Sequence, residues 1–266
     1  MPTPNSEAIV RRNRQYIEHL SDSKVKYFSY LSTMSRFHKF KADELASFAL
    51  EAPPTFTATA TRDMWQRVLQ RNVNTDGKGV TIVRDGKPYT FYDVSETTAA
   101  TNSQAVNLWQ YNNEQHKKFL DAVVPGDSSA EQKVTRIIEE LTNKAQVNDN
   151  DREFVKASIA VVVLERLGMD NDEAVGKLAT MPIKGRDIHA VVEQTQAVSQ
   201  QILDAMQKSV QQFAQEADVS RADNNPLFEI VDDVFEAAAE QNLTPEQGQT
   251  QEPEQTQAAE TPAPSV

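Results

Sequence analysis

Four histidines stand at positions 19, 38, 116 and 189. No two are one helical turn apart. A zinc peptidase site needs His at i and i+4 with a Glu beside the first, so that chemistry is not encoded. Gly77-Lys78-Gly79 lies in NTDGKGV, but the upstream Gly of a phosphate loop is missing. A strand pattern follows it where a phosphate loop needs a helix. The segment reads as a turn entering a strand. There is no GxSxG and no cysteine, which excludes a nucleophile elbow, a thiol nucleophile, disulfides and thiolate metal sites. The carboxylate pairs Glu139-Glu140 and Asp232-Asp233 read as solvated helix faces, not as general acid and base. No catalytic constellation emerges. The expectation is a protein that is not an enzyme and takes no cofactor and no metal.

The remaining chemistry is recognition. Single-stranded nucleic acid is held by cations along its backbone and by flat side chains on which bases stack. The N-terminal part supplies both. Lys24, Lys26, Tyr27 and Tyr30 share one segment, and Arg36, Phe37, His38, Lys39, Phe40 and Lys41 form a dense basic-aromatic cluster. Arg67 and Arg71 stand four residues apart after Trp65, as on one face of a helix. Lys78, Arg84, Lys87 and Tyr92 decorate a hairpin pattern. The expected binding set is Lys26, Tyr30, Arg36, Phe37, His38, Lys39, Lys41, Arg67, Arg71, Lys78, Arg84, Lys87 and Tyr92. Trp65, Phe28 and Phe48 read as core. Phe37 and Phe40 fit a small core as well as an exposed face, and His38 fits a hydrogen-bonded histidine as well as a base contact.

Charge supports a division of labour. The 266 residues carry a net charge of −12, which alone argues against a nucleic-acid binder. Residues 1–95 hold 14 of the 27 Lys/Arg and 10 of the 39 Asp/Glu, a net of +4; the remainder holds 13 and 29, a net of −16. Such asymmetry hints at a basic module joined to an acidic body or tail. No apolar run approaches the roughly 20 residues that span a bilayer, and the N-terminus has no apolar signal region. The expected location is the cytoplasm, with no membrane partner.

The elements that must position these residues follow from periodicity and caps. A helix is predicted over 7–20. Ser23 caps a second to about Phe37, with Val25, Phe28, Leu31 and Met34 as its apolar stripe. A third runs from near Lys41 to Pro53-Pro54. Thr59 or Thr61 caps a short helix holding Trp65. Asp85-Gly86 between β-prone runs predicts a hairpin from about Gly79 to Ser95. On its second strand Tyr89, Phe91 and Asp93 face one way and Thr90 and Tyr92 the other, with Asp93 capping the turn into Ser95-Glu96-Thr97. Pro88 suits an edge strand.

Helices follow: 114–124, one from Ser128 or Ser129, and a buried central one from Asp149 or Asp151 to Gly168. The longest runs over 187–218 with the stripe Ile188, Val191, Thr195, Val198, Ile202 and Ala205 at coiled-coil-like spacing, which offers a surface for self-association or a protein partner. A further short helix is expected over 228–239. From about Asn242 the chain cannot bury enough surface to order itself. The fold class predicted is α+β: N-terminal helices on a small antiparallel hairpin or sheet (1–98), an all-α region (99–240) and a disordered tail (241–266).

Taken in order, these residues resemble a family. Tyr27 to Thr98 is similar to the N-terminal single-stranded-DNA-binding domain of ArdC-type antirestriction proteins and of related large mobile-element polypeptides. The matching elements are Phe37 to Phe40, Leu45 to Leu50, Pro53-Pro54, Trp65, Gly77-Lys78-Gly79-Val80 and Tyr92-Asp93-Val94-Ser95-Glu96-Thr97. RVLQRN replaces a GRWVKRG-like run, so a second Trp and a Gly are missing. ArdC proteins also carry a metallopeptidase-like domain; without HExxH that activity is not implied. The resemblance implies a single-stranded-DNA-binding accessory protein of a phage or mobile element in a bacterial host. The rival expectation is an acidic helical adaptor or inhibitor, a DNA mimic among them, opposing a basic protein surface.

Overall fold

The computed structural model describes residues 6–103, 106, 113–145 and 147–217. Helix α1 (Ser6–Glu18) leads through a 3₁₀ turn (His19–Asp22) to α2 (Lys24–Arg36). Ser23 caps α2 by accepting the Lys26 N–H, as its position predicts. The buried face of α2 differs from the expected one. Tyr27, Tyr30, Leu31 and Met34 are buried, whereas Val25 is 79 % exposed. Three-residue steps drift by about 60° each around a helix of 3.6 residues per turn, so a stripe drawn at strict threes leaves the core face. The mixed spacing 27, 30, 31, 34 stays on it.

Helix α3 (Ala42–Glu51) ends before Pro53. Strand β1 (Thr59–Thr61) runs into α4 (Arg62–Arg67), capped by Thr61, and β2 (Arg71–Val73) follows. The hairpin is β3 (Val80–Arg84) and β4 (Lys87–Asp93). Its two turn residues, Asp85 and Gly86, have φ of 51° and 75°, the primed turn that matches strand twist. A 3₁₀ turn (Val94–Glu96) precedes β5 (Thr97–Ala99). The strands form two antiparallel sheets, β1-β4-β3 and β2-β5. Thus β4 is central, not an edge. Pro88 is tolerated there because β1 ends opposite Phe91, so the N–H that proline lacks would have met no partner strand.

The remaining helices are α5 (Asn113–Val123), α6 (Ala130–Lys144), α7 (Arg152–Leu167), α8 (Asp172–Thr180) and α9 (Ile188–Ala217). A reciprocal cap between Ser129 and Gln132 starts α6. Gly168, at φ 65°, ends α7. The short helix α8 has no counterpart in the sequence reading. The class is α+β. Helix α7 is central, packed against α2, α6, α8 and α9. Its Phe154, Val155, Ile159, Val162 and Val163 are buried.

Residue 98 marks a change of composition and not a break in packing. Helix α2 packs on α7, and α1 and α3 reach α9. The Tyr27 hydroxyl lies 2.9 Å from Ser158 Oγ, and its ring is 5.3 Å from that of Phe154. The chain divides by contact into residues 1–231 and 232–266; every described residue lies in the first. The helix expected over 228–239 and the tail expected over 241–266 lie outside the described residues. The stripe of α9 is buried within the chain at Ile188, Val191, Val192, Thr195, Val198, Ile202 and Met206. As far as Met206, therefore, this stripe is covered within the chain, while Ala205 faces out. Among the described residues no helix is long and apolar enough to cross a membrane.

Candidate nucleic-acid interface

The sheet separates the aromatics into two sets. Val80, Ile82 and Phe91 point inward and are buried. They meet Phe40, 5.0 Å from Phe91 between centroids, and Phe48, 4.6 Å from Phe40. Phe37 stacks on Phe48 at 4.5 Å. Phe37 is therefore core, which corrects its place in the binding set. Thr81, Thr90 and Tyr92 lie on the other face and are half-buried, as alternation along β4 predicts. The Thr81 and Thr90 hydroxyls are 3.0 Å apart across the strands.

Four more expected contacts are withdrawn into the fold. Tyr30 is fully buried and donates to the Ala42 carbonyl at 2.6 Å; burial raises its hydroxyl pKa well above the ordinary value. His38 is 2 % exposed. Burial first, then the charges of Arg166 and Lys39, hold its pKa well below 6.5, so the ring is neutral at neutral pH. Lys39 pairs with Asp204 of α9 at 2.6 Å. Arg84 pairs with Glu44 of α3, both nearly buried. The basic-aromatic density that suggested a surface serves instead to join α2, α3, α9 and the hairpin. Charged side chains go inside where each has a partner.

Arg36 is half-buried, its Nη1 donating to the Pro54 carbonyl at 3.0 Å, and its guanidinium lies 5.3 Å from the Phe37 ring centre. Arg71 stands on β2, not on the Trp65 helix. That helix stops at Arg67, and Gln70 at φ 53° turns the chain. Arg71 donates to Thr97 Oγ1 at 2.8 Å. Arg67 is exposed and pairs with Asp63 one turn earlier. Lys26, Lys41, Lys78 and Lys87 are exposed, and Lys26, Lys41 and Lys87 are dispersed. Lys26 is on α2, and Lys41 lies beside α1 and α9 in a groove with Arg14 and Glu193. Lys87 is at the hairpin tip, about 17 Å along β4 from Tyr92 at 3.4 Å per residue.

One group does converge, at the far end of β4. Trp65 is buried and its indole N–H donates to the Tyr92 carbonyl at 2.8 Å, tying α4 to the strand. Arg62 begins α4, and its guanidinium sits over the Tyr92 ring, 5.0 Å from the centroid. Gly79 backs the same ring. A Cβ there would come within 2.7 Å of the Phe91 carbonyl and 3.0 Å of Tyr92 Cδ1, and φ is +58°; only glycine allows this approach. The exposed Lys78 directly precedes this glycine in the chain.

Two carboxylates lock the loops around this corner. Asp93 Oδ2 accepts the N–H groups of Thr57 and Ala58 at 2.7 and 2.9 Å, and Oδ1 accepts that of Ser95. Glu96 Oε1 accepts from Lys78 and Gly79 at 2.9 and 3.2 Å, and Oε2 from Asp93. The turn-capping role expected of Asp93 is seen, and both residues do more. They bind three chain segments to the end of β4. Arg62 and Glu96 are the residues that the sequence reading left out. A cation directly after the capping Thr61, where the helix dipole favours an anion, was the available signal for Arg62.

Among the described residues no group of three or more His, Asp or Glu is placed to hold a metal. Compared with protein-family models, with curated proteins and with solved structures, the chain matches none.

Proposed function

We propose that this protein binds single-stranded DNA at the corner built from Arg62, Tyr92 and Lys78, flanked by Arg67 and Arg71. The observation that carries the reading is the Arg62–Tyr92 pair, a guanidinium over an aromatic ring, with Lys78 exposed in the loop that enters β3 and Arg67 exposed at the end of α4. Single strands are bound by this combination of π surface and cations. The ordered motifs that resemble the ArdC-type single-stranded-DNA-binding domain support the same reading. On this reading the protein is an accessory factor of a phage or mobile element in a bacterial cell, and not a catalyst.

The test is binding of a labelled single-stranded oligonucleotide, against its duplex, across a salt series. Four cations, Arg62, Arg67, Arg71 and Lys78, set the expected slope of log K on log salt near −2.8, at about 0.7 per phosphate contact on single strands. Duplex is expected to bind more weakly, because its bases are not free to stack. Absence of binding, or affinity independent of salt, overturns the reading in favour of an adaptor that acts through its acidic surface.

A further inference from the structure

We infer that the surface on which a base stacks is the Arg62 guanidinium, with Tyr92 as the plate that holds it flat; this rests on the single-strand reading above. Arg62 lies over one face of the Tyr92 ring and covers it. Gly79 packs against its edge, the strand carbonyl is tied to Trp65, and the residue as a whole is half-buried. Arg62 is exposed. Its outer face is the next flat surface outward, and guanidinium planes stack on bases as aromatic rings do.

Local chemistry does not otherwise account for Arg62. It is the first residue of α4, where a positive charge opposes the helix dipole. The neighbouring Asp63 is engaged by Arg67 at 2.7 Å. Among the described residues Arg62 makes no ion pair and no side-chain hydrogen bond. Its donors at the rim of the plane remain available for a phosphate, while its face takes the base. Its partner is the Tyr92 ring, and a residue that opposes a local rule is expected at functional positions. Lysine at this position would keep the charge and lose the plane.

The experiment compares one oligonucleotide with its abasic counterpart of equal phosphate charge, using the full chain, with Arg62→Lys, Tyr92→Phe and Tyr92→Leu. The wild type is expected to prefer the base-bearing strand by about tenfold, within the range of one stacked base. Arg62→Lys is expected to bring that ratio near one with the salt slope and melting temperature unchanged. Tyr92→Phe keeps the ratio, and Tyr92→Leu loses it. A full ratio in Arg62→Lys overturns the inference, as does a reduced salt slope with the ratio intact, which makes Arg62 a phosphate contact alone. A wild-type ratio of one with salt-dependent binding overturns the stacking surface and leaves the single-strand reading standing. No wild-type binding overturns both.

Discussion

Arg84 on β3 and Glu44 on α3, forty residues apart, meet as a two-pronged ion pair: Nε to Oε1 and Nη2 to Oε2, each 2.6 Å. The carboxylate is 1 % exposed and the guanidinium 10 %, and Arg84 lies 6.0 Å from the Phe40 ring centre. The pair fixes the hairpin to the helical layer and accounts for the only cation on β3.

Removing one partner of this pair strands a buried charge. Glu44→Ala is expected to cost about 3–5 kcal/mol, and the double variant with Arg84→Met less than the sum of the single changes. Denaturant unfolding of the four proteins measures the coupling. Arg84→Met is expected to leave single-strand affinity unchanged once folded; a loss of affinity in the folded variant would return Arg84 to the binding set.

His38 makes the fold sensitive to mild acid. Its pKa is held well below 6.5 in the folded chain by burial, then by Arg166 and Lys39, and is near 6.5 when unfolded. The unfolded chain therefore binds the extra proton, so stability is full above about pH 6.5 and falls as pH drops below it. The slope from this residue approaches about 1.4 kcal/mol per pH unit. Melting between pH 7.5 and 5.5 is expected to fall more in the wild type than in His38→Gln. Equal falls in the two proteins would assign the acid sensitivity elsewhere.

Asp93 and Glu96 hold the loops around the end of β4. Asp93→Ala leaves the N–H groups of Thr57, Ala58 and Ser95 without their acceptor, at about 1–3 kcal/mol for each donor that stays dry. The expected result is early melting. Glu96→Ala is expected to be milder in stability, because Lys78 is exposed, and to loosen the loop that carries Lys78. Hydrogen exchange at Lys78 and Gly79 is the direct measurement, and protection equal to wild type contradicts the staple.

The two hairpin-side glycines separate strain from crowding. Both have positive φ, but only Gly79 is crowded. Gly86→Ala is expected to cost about 1 kcal/mol, the left-handed penalty alone. Gly79→Ala adds the clash with β4 and is expected to cost clearly more. Chemical denaturation of both variants ranks them; equal losses would mean the loop shifts freely.

What the sequence made legible was local. Ser23 and Gly168 announce helix ends, and the choices Thr59 or Thr61 and Ser128 or Ser129 come within two residues of them, because caps act within three residues. Asp85-Gly86 announces the hairpin because only such residues adopt its turn. What stayed hidden depended on distant partners. The face of α2 is chosen by other helices, with Tyr27 against Ser158 and Phe154 of α7 and Tyr30 against Tyr16 of α1 and the Ala42 carbonyl of α3, so Tyr30 read as a surface aromatic. Lys39 and Arg84 read as free cations because Asp204 and Glu44 are not their sequence neighbours. The three-residue strands β1, β2 and β5 are too short for periodicity to register. Of the expected site, Tyr92 and Lys78 stand together because one strand and its adjoining loop position them. Lys26, Lys41 and Lys87 lie on separate elements.

Tyr27 and its partner Ser158 are 131 residues apart in the chain. At about 5–20 residues per second of synthesis, the apolar face of α2 leaves the ribosome roughly 7–26 s before α7 exists to cover it. The N-terminal third thus spends its first moments as an unfinished surface, within reach of chaperones and of neighbouring nascent chains. For this protein, slowing translation between α3 and α7 is expected to raise aggregation more than slowing it after α7.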